Sequence, residues 1–229
     1  MAGILYAIPT PLGGTAVDAL PASALETVRT LRYFVVENAK TARAFLKEVG
    51  MPCAIQDLEI AVIDANVAQH IERLQEKQSI GLLSEAGCPA IADPGALLVE
   101  AAQKQGIRVA PLVGPSSIVL ALMASGLEGQ RFAFCGYLPR EAEERRKKIG
   151  ALESRSRRDR ETQIFIETPY RNDAMLAALL ETASEKTLLC LATDLTLPTE
   201  KIETRTVGRW RGARHTIGKR PTVFLLLSA

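Results

Sequence analysis

Along this chain short apolar runs alternate with stretches in which apolar residues recur every third or fourth position. Ile4 to Ile8 is a compact apolar run that stops at Pro9, Pro11 and the Gly13-Gly14 pair, so it reads as a strand entering a sharp loop. In "ALPASALETVRTLRY", Ala24, Val28 and Leu31 share helical spacing and predict a helix. "YFVVEN" predicts a second strand, and "KTARAFLKEVG" a helix closed by Gly50. Val67, Ile71 and Leu74 mark one face of a helix over "VAQHIERLQEKQS". "IGLLSE", "ALLVEAAQKQG" and "IRVAPLVG" then predict strand, helix and strand. Strand and helix alternate regularly, the signature of a layered α/β domain with a mostly parallel sheet.

Past about residue 118 the texture changes. "SIVLALMASGL" predicts an apolar helix and "RFAFCGYLP" a strand. "TQIFIETPY" predicts another strand and "NDAMLAALLETAS" a helix. "KTLLCLATDLT", "EKIETRTVGRW" and "PTVFLLLS" predict three further strands. Several adjacent strands with few helices between them imply antiparallel pairing, hence a second α/β domain with a mixed sheet. The expected division is residues 1–117 and 118–229, at "PLVGPSS".

The chain has 229 residues and a formal net charge of +2, and 24% of its residues are charged, the composition of a globular domain pair. So small a net charge does not by itself point to nucleic acid, although the charge is unevenly spread. Cys53, Cys88, Cys135 and Cys190 are far apart and form no CxxC pair, so free thiols in a reducing compartment are expected and no metal site. "MAGILYAIPTPLGG" lacks a basic n-region, and no run approaches the ~20 apolar residues of a membrane span. The expectation is a cytoplasmic protein that does not cross a membrane.

Candidate chemistry lies in the loops at predicted strand ends, where open α/β sheets bind ligands. "IPTPLGG", "LLSEAGCP", "PLVGPSS" and "IETPYR" are small and proline-containing, and the first three carry no Lys or Arg. There is no GxxxxGK[ST] and no GxGxxG after the first strand, which disfavours a triphosphate and an ordinary dinucleotide. Glu85 or Asp93 suits a ligand with a cationic centre; as an alternative, Asp93 caps the next helix and Glu85 faces water. Ser116 and Ser117 are loop donors or, alternatively, caps.

"LYAIPTPLGG", "LLSEAGCPAIADPGALLVEAA", "VAPLVGPSSIVLALMASGL", "RFAFCGYLPREAEERRK" and "IFIETPYR" together resemble the tetrapyrrole methylase superfamily over almost the whole chain. Within it they are most similar to enzymes that 2′-O-methylate a cytidine ribose in small-subunit ribosomal RNA. The resemblance implies a two-domain, homodimeric methyltransferase with S-adenosyl-L-methionine in the cleft between the domains. It implies cofactor contacts at Ser84, Glu85, Ala86, Gly87, Ser116 and Ser117, then at Glu167, Thr168, Ala192, Thr193, Pro221 and Thr222, with Pro9 and Leu12 on the substrate side. Departures from those enzymes fall mainly on the substrate side: Gly14 stands where asparagine is expected, Asn38 where an acid is, Lys40 where arginine is and Tyr170 where histidine is.

Transfer to a ribose hydroxyl needs alignment and a base. Glu37, at the end of the second strand beside the first loop, is the candidate base, with Glu167 the other acid; alternatively Glu37 caps the following helix. Arg171 is the candidate phosphate fork or, alternatively, a surface ion pair. Tyr170 is expected to stack on a base or to pack at the domain seam. Arg140 to Glu161 holds nine basic and six acidic residues, either a solvated segment or an RNA-backbone contact. "GRWRGARH", with Arg209, Trp210, Arg211, Arg214 and His215, is a second basic patch, in which Trp210 either stacks on a base or packs in the core or an interface. Ribosomal RNA is the expected partner. The alternatives are methylation of a tetrapyrrole or other small molecule, and a non-catalytic protein that binds S-adenosyl-L-methionine or RNA.

Overall fold

The computed structural model describes residues 2–64, 66–212 and 215–228. Arg214 of the second basic patch lies outside them. The chain divides into two compact units, Met1–Ser116 and Ser117–Ala229.

In the first unit, β1 (Leu5–Ile8), β2 (Tyr33–Val36), β3 (Glu59–Val62), β4 (Ile80–Leu83) and β5 (Val109–Pro111) form one sheet in the order β3-β2-β4-β1-β5. Every pairing is parallel. Alternation along each strand sorts the side chains. Ile8, Phe34, Val36 and Leu83 pack under α1 (Ala16–Ala19), α2 (Ala22–Thr30) and α3 (Ala39–Val49). Leu5, Tyr33, Val35, Ile80 and Leu82 pack on the other face against α4 (Ala68–Gln75) and α5 (Ala96–Lys104). Gly81 is required beneath Phe34, because a Cβ there would lie 2.6 Å from its ring.

The second unit has β6 (Phe132–Tyr137), β7 (Thr162–Ile166), β8 (Leu188–Thr193), β9 (Lys201–Thr206) and β10 (Thr222–Leu227), ordered β6-β7-β10-β8-β9. β6 and β7 run parallel and the remaining pairs antiparallel, so the sheet is mixed, as expected. Helices α7 (Ala142–Asp159), α8 (Asn172–Thr182) and α9 (Val207–Arg211) bury Ile149, Leu152, Met175, Leu179 and Trp210 against Phe165, Leu189, Leu191 and Phe224. On the other face lies α6 (Ser117–Ser125), whose Ser125 carbonyl accepts from Thr204 Oγ1 at 2.6 Å.

Three sequence expectations change. The single helix expected over "ALPASALETVRTLRY" is divided: Pro21, extended at ψ 151°, separates α1 from α2, and Tyr33 already belongs to β2. The strand expected over "EKIETRTVGRW" ends at Thr206, whose hydroxyl accepts from Arg209 N at 3.3 Å and starts α9. β3 had no counterpart in the sequence reading. Among the described residues no helix is long and apolar enough to cross a membrane.

Candidate functional site

All strands of the first sheet end on one edge, in register: Val36 opposite Leu83, Leu83 opposite Ile8, and Ala7 opposite Pro111. β1 and β4 are adjacent, yet their following helices leave to opposite faces. That is a topological switch point, where open parallel sheets form a crevice. The two loops there are tied by backbone. Thr10 N donates to Gly87 O at 2.9 Å and Gly87 N to Thr10 O at 3.0 Å. Gly87 sits at φ +78°, a conformation costly for other residues, and Ser84 Oγ donates to its carbonyl at 3.1 Å. Asp93 is not the cap of α5. Its Oδ1 accepts from Ala90 N at 2.8 Å and Gly95 N at 2.9 Å, and so closes the rest of the loop.

The sheet order places Glu37 beside the loop after β4 and not beside the loop after β1, because β4 lies between β2 and β1. Glu37 Oε2 accepts from Glu85 N at 3.2 Å, and Glu85 Oε1 accepts from Thr41 Oγ1 at 3.5 Å. The cap of α3 is Asn38, whose side chain accepts from Lys40 N at 2.9 Å, so the carboxylate of Glu37 is not spent on the helix end. A hollow of about 200 Å³ opens among Thr10, Pro11, Thr41, Phe45, Ser84 and Glu85. Burial pushes the Cys88 thiol up, opposed by a hydrogen bond with Ser116.

In the second unit antiparallel register gathers what sequence separates. The ends of β7 and β8 lie beside the start of β10, with Thr222 opposite Thr193 and Val223 opposite both Ile166 and Ala192. Thr222 Oγ1 donates to Thr193 Oγ1 at 3.2 Å, and Asp194 N to Pro221 O at 2.9 Å. Glu167, whose side chain is fully buried, uses one oxygen for everything: Oε1 accepts from Thr168 N at 2.6 Å, Arg171 Nε at 3.0 Å and Arg171 Nη2. Its buried Oε2 has no partner among the described residues. A desolvated carboxylate oxygen without a donor is costly, and a ligand N–H satisfies it. Glu167, Thr168, Ala192, Thr193, Pro221 and Thr222 thus share one sheet edge.

Other candidates lie differently. Trp210 is 1% exposed and donates Nε1–H to Leu189 O at 2.9 Å, so it is a core residue and not a surface stacking group. Most of the charge run forms α7, and among the described residues six of the run's nine basic side chains have a partner. Arg145 is bonded to Arg140 O, Arg146 and Lys147 are paired with Glu143, Arg155 with Glu161, Arg158 with Asp159, and Arg157 is bonded to Ser228. The helix is solvated on one face, where its charges are largely paired, and buries Ile149 and Leu152 in the core on the other. Tyr170, by contrast, is 79% exposed.

Residues 5–210 match the family model described as Tetrapyrrole (Corrin/Porphyrin) Methylases. The chain belongs to the tetrapyrrole methylase family. Among curated relatives it is similar to "Ribosomal RNA small subunit methyltransferase I" of Escherichia coli O157:H7, 35% identical over 90% of this chain and 70% of that protein. The protein of the same name from Xylella fastidiosa is 34% identical over 85% of this chain and 69% of its own length. Among solved structures, the methyltransferase CobJ superposes with a TM-score of 0.65 at 19% identity, covering 100% of this chain and 95% of that one. Diphthine synthase gives 0.64 at 14% identity, covering 98% and 89%. At those identities the structures speak for the tetrapyrrole methylase fold alone.

Proposed function

We propose that this tetrapyrrole methylase transfers a methyl group from S-adenosyl-L-methionine to a ribose 2′-hydroxyl of ribosomal RNA, as a cytoplasmic homodimer. The carrying observation is the identity of 35% over 90% of the chain to a protein named as a ribosomal RNA small subunit methyltransferase.

The residues suit the donor. When bound, it supplies a methyl group on a cationic sulfur, with a neutral thioether as leaving group. Residues 84–95 contain no Lys or Arg but include Glu85 and Asp93, a composition that favours a cation over a phosphate. In the first unit Ser84, Glu85, Ala86, Gly87 and Ser116 would hold it. In the second, Ser117, Glu167, Thr168, Ala192, Thr193, Pro221 and Thr222 would do so, with Glu167 Oε2 taking an N–H of the ligand. Arg171 acts by fixing Glu167, since its guanidinium donates to Oε1 twice.

Glu37 is the base. Its Oε2 is oriented by the Glu85 amide, and Oε1 remains to take the hydroxyl proton. Met123, Phe132 and Tyr137 are large exposed hydrophobic side chains of the second unit, of the kind a second copy would cover.

The experiment incubates the protein with methyl-labelled donor and RNA from cells lacking the chain, then maps the label. One restored 2′-O-methyl position on small-subunit RNA is expected. Label entering a small-molecule extract and no RNA overturns the RNA acceptor and leaves methyl transfer standing.

A further inference from the structure

Tyr170 is an unusual surface residue. It occupies the short turn Pro169–Arg171, directly after Glu167 and Thr168, and is 79% exposed. The turn itself is rigidly held: Arg171 N donates to Thr168 O at 2.9 Å, and the Arg171 guanidinium grips Glu167. Lys219 lies over one face of the ring, with Nζ 4.9 Å from the centroid. Lys219 and the turn are locked together from behind. Asn172 Nδ2 donates to Arg220 O at 2.7 Å and to Gly218 O at 3.3 Å, and Asp173 Oδ1 accepts from Ile217 N at 2.7 Å.

An aromatic ring so exposed gains nothing from facing water. Here the turn that carries it is already held, so the backbone entropy of ordering it is spent before any partner arrives. The cation on one face strengthens the ring's orientation and leaves the other face open. Lys219 forms no ion pair with a carboxylate among the described residues. Arg220 is adjacent, its Nη1 3.5 Å from Asp194. A flat π face with unneutralised positive charge beside it matches an unpaired nucleotide, which offers a base to stack and a phosphate to neutralise.

We infer that Tyr170 and Lys219 form a platform for one unpaired base of the acceptor RNA, stacked on the ring face opposite Lys219, with the adjoining phosphate met by Lys219 and Arg220. This rests on the RNA reading above and adds to it a defined contact beside Glu167. It also gives a role to a ring that is 79% exposed.

The test uses the full chain, a single-stranded oligoribonucleotide of about ten residues carrying one 2-aminopurine, and methyl transfer to RNA from cells lacking the chain. Tyr170→Phe should bind and quench the 2-aminopurine like the native protein. Tyr170→Ala should abolish quenching, weaken binding roughly five- to a hundredfold and raise the RNA KM with kcat little changed. Lys219→Gln should lower the slope of log K against log salt by about 0.7, one single-strand phosphate contact. Native-like binding, quenching and KM in Tyr170→Ala would overturn the platform while methylation of RNA by the native chain kept the RNA reading. If the native chain neither binds nor methylates RNA, both fall together.

Discussion

The carboxyl edge of the first sheet and the candidate edge of the second are built by different means. The first is a matter of backbone. Thr10 and Gly87 exchange amide hydrogen bonds, Ser84 and Asp93 fold their loop onto its own amides and carbonyls, and Glu37 is oriented by a main-chain N–H. The second is a matter of side chains: Glu167 with Arg171, Asp194 with Arg220, Thr193 with Thr222. An edge set by chain conformation is damaged by adding atoms, and one set by paired groups is damaged by removing a partner. The first edge can therefore tolerate loss of a carboxylate structurally while losing chemistry, whereas the second cannot.

The sharpest test of that contrast is Glu37→Gln. It keeps the size and the ability to accept from Glu85 N but removes the base. Turnover should fall about a hundredfold or more, with donor affinity and unfolding midpoint nearly unchanged. Steady-state kinetics beside calorimetry with the donor separate the two; unchanged turnover removes Glu37 from the reaction. Next comes Arg171→Met, which strands a buried carboxylate with only Thr168 as donor. A loss of about 2–3 kcal/mol in urea unfolding is expected, below the range for fully buried pairs because Arg171 is 28% exposed. An unfolding midpoint like that of the native chain would make the second edge no more charge-dependent than the first. Third is Gly114→Ala in the loop after β5. Its Cβ would lie 2.5 Å from Pro9 Cβ and 2.7 Å from Leu20, so the Pro9 loop must shift, at about 1–2 kcal/mol. Should the variant prove as stable as the native chain, the first edge is more pliant than its geometry implies.

The two edges also differ in how far the sequence announces them. Buried strands such as "YFVV" and "IGLL" are uninterrupted apolar runs and declare themselves. β3 does not, because at the sheet margin its outer residues, Glu59 and Val62, are exposed and leave no alternation to read. The junction at Thr206 hides because a β-branched residue ending a strand also caps a helix. The Gly, Pro and missing cations of the loops after β1 and β4 mark them in the sequence as a candidate ligand site, and the structure brings the two loops together. Their neighbour Glu37 was legible as a candidate, but its true companion, Glu85, follows from strand order, which no local pattern encodes. The second edge is further from view. Thr193 and Thr222 are brought face to face by antiparallel register alone, and only the family resemblance singled them out. Tyr170 and Lys219 share no periodicity; their meeting depends on Asn172 and Asp173 holding a loop that the sequence leaves featureless.

The smallest effect lies at the opposite, amino edge of the first sheet, where charge does matter to that unit. His70 is fully buried on α4, its Nδ1 2.9 Å from the Tyr33 hydroxyl at the start of β2. Burial lowers its proton affinity below the ordinary 6.5, with Asp64 opposing and Arg73 adding to the shift, and Tyr33, pushed up by burial, stays a neutral phenol. The unfolded chain therefore takes up a proton at this position before the folded one does. Stability is complete above about pH 6.5 and declines as pH falls through and below that value, by at most about 1.4 kcal/mol per unit for one proton. Urea unfolding from pH 7.5 to 5.5 should show that slope, reduced in His70→Gln, while donor affinity extrapolated to the folded state stays level over the same range. A slope identical in the variant would assign the acid sensitivity elsewhere. A parallel fall in donor affinity would mean that the two edges of the first sheet are coupled, against the view that its ligand edge is held by backbone alone.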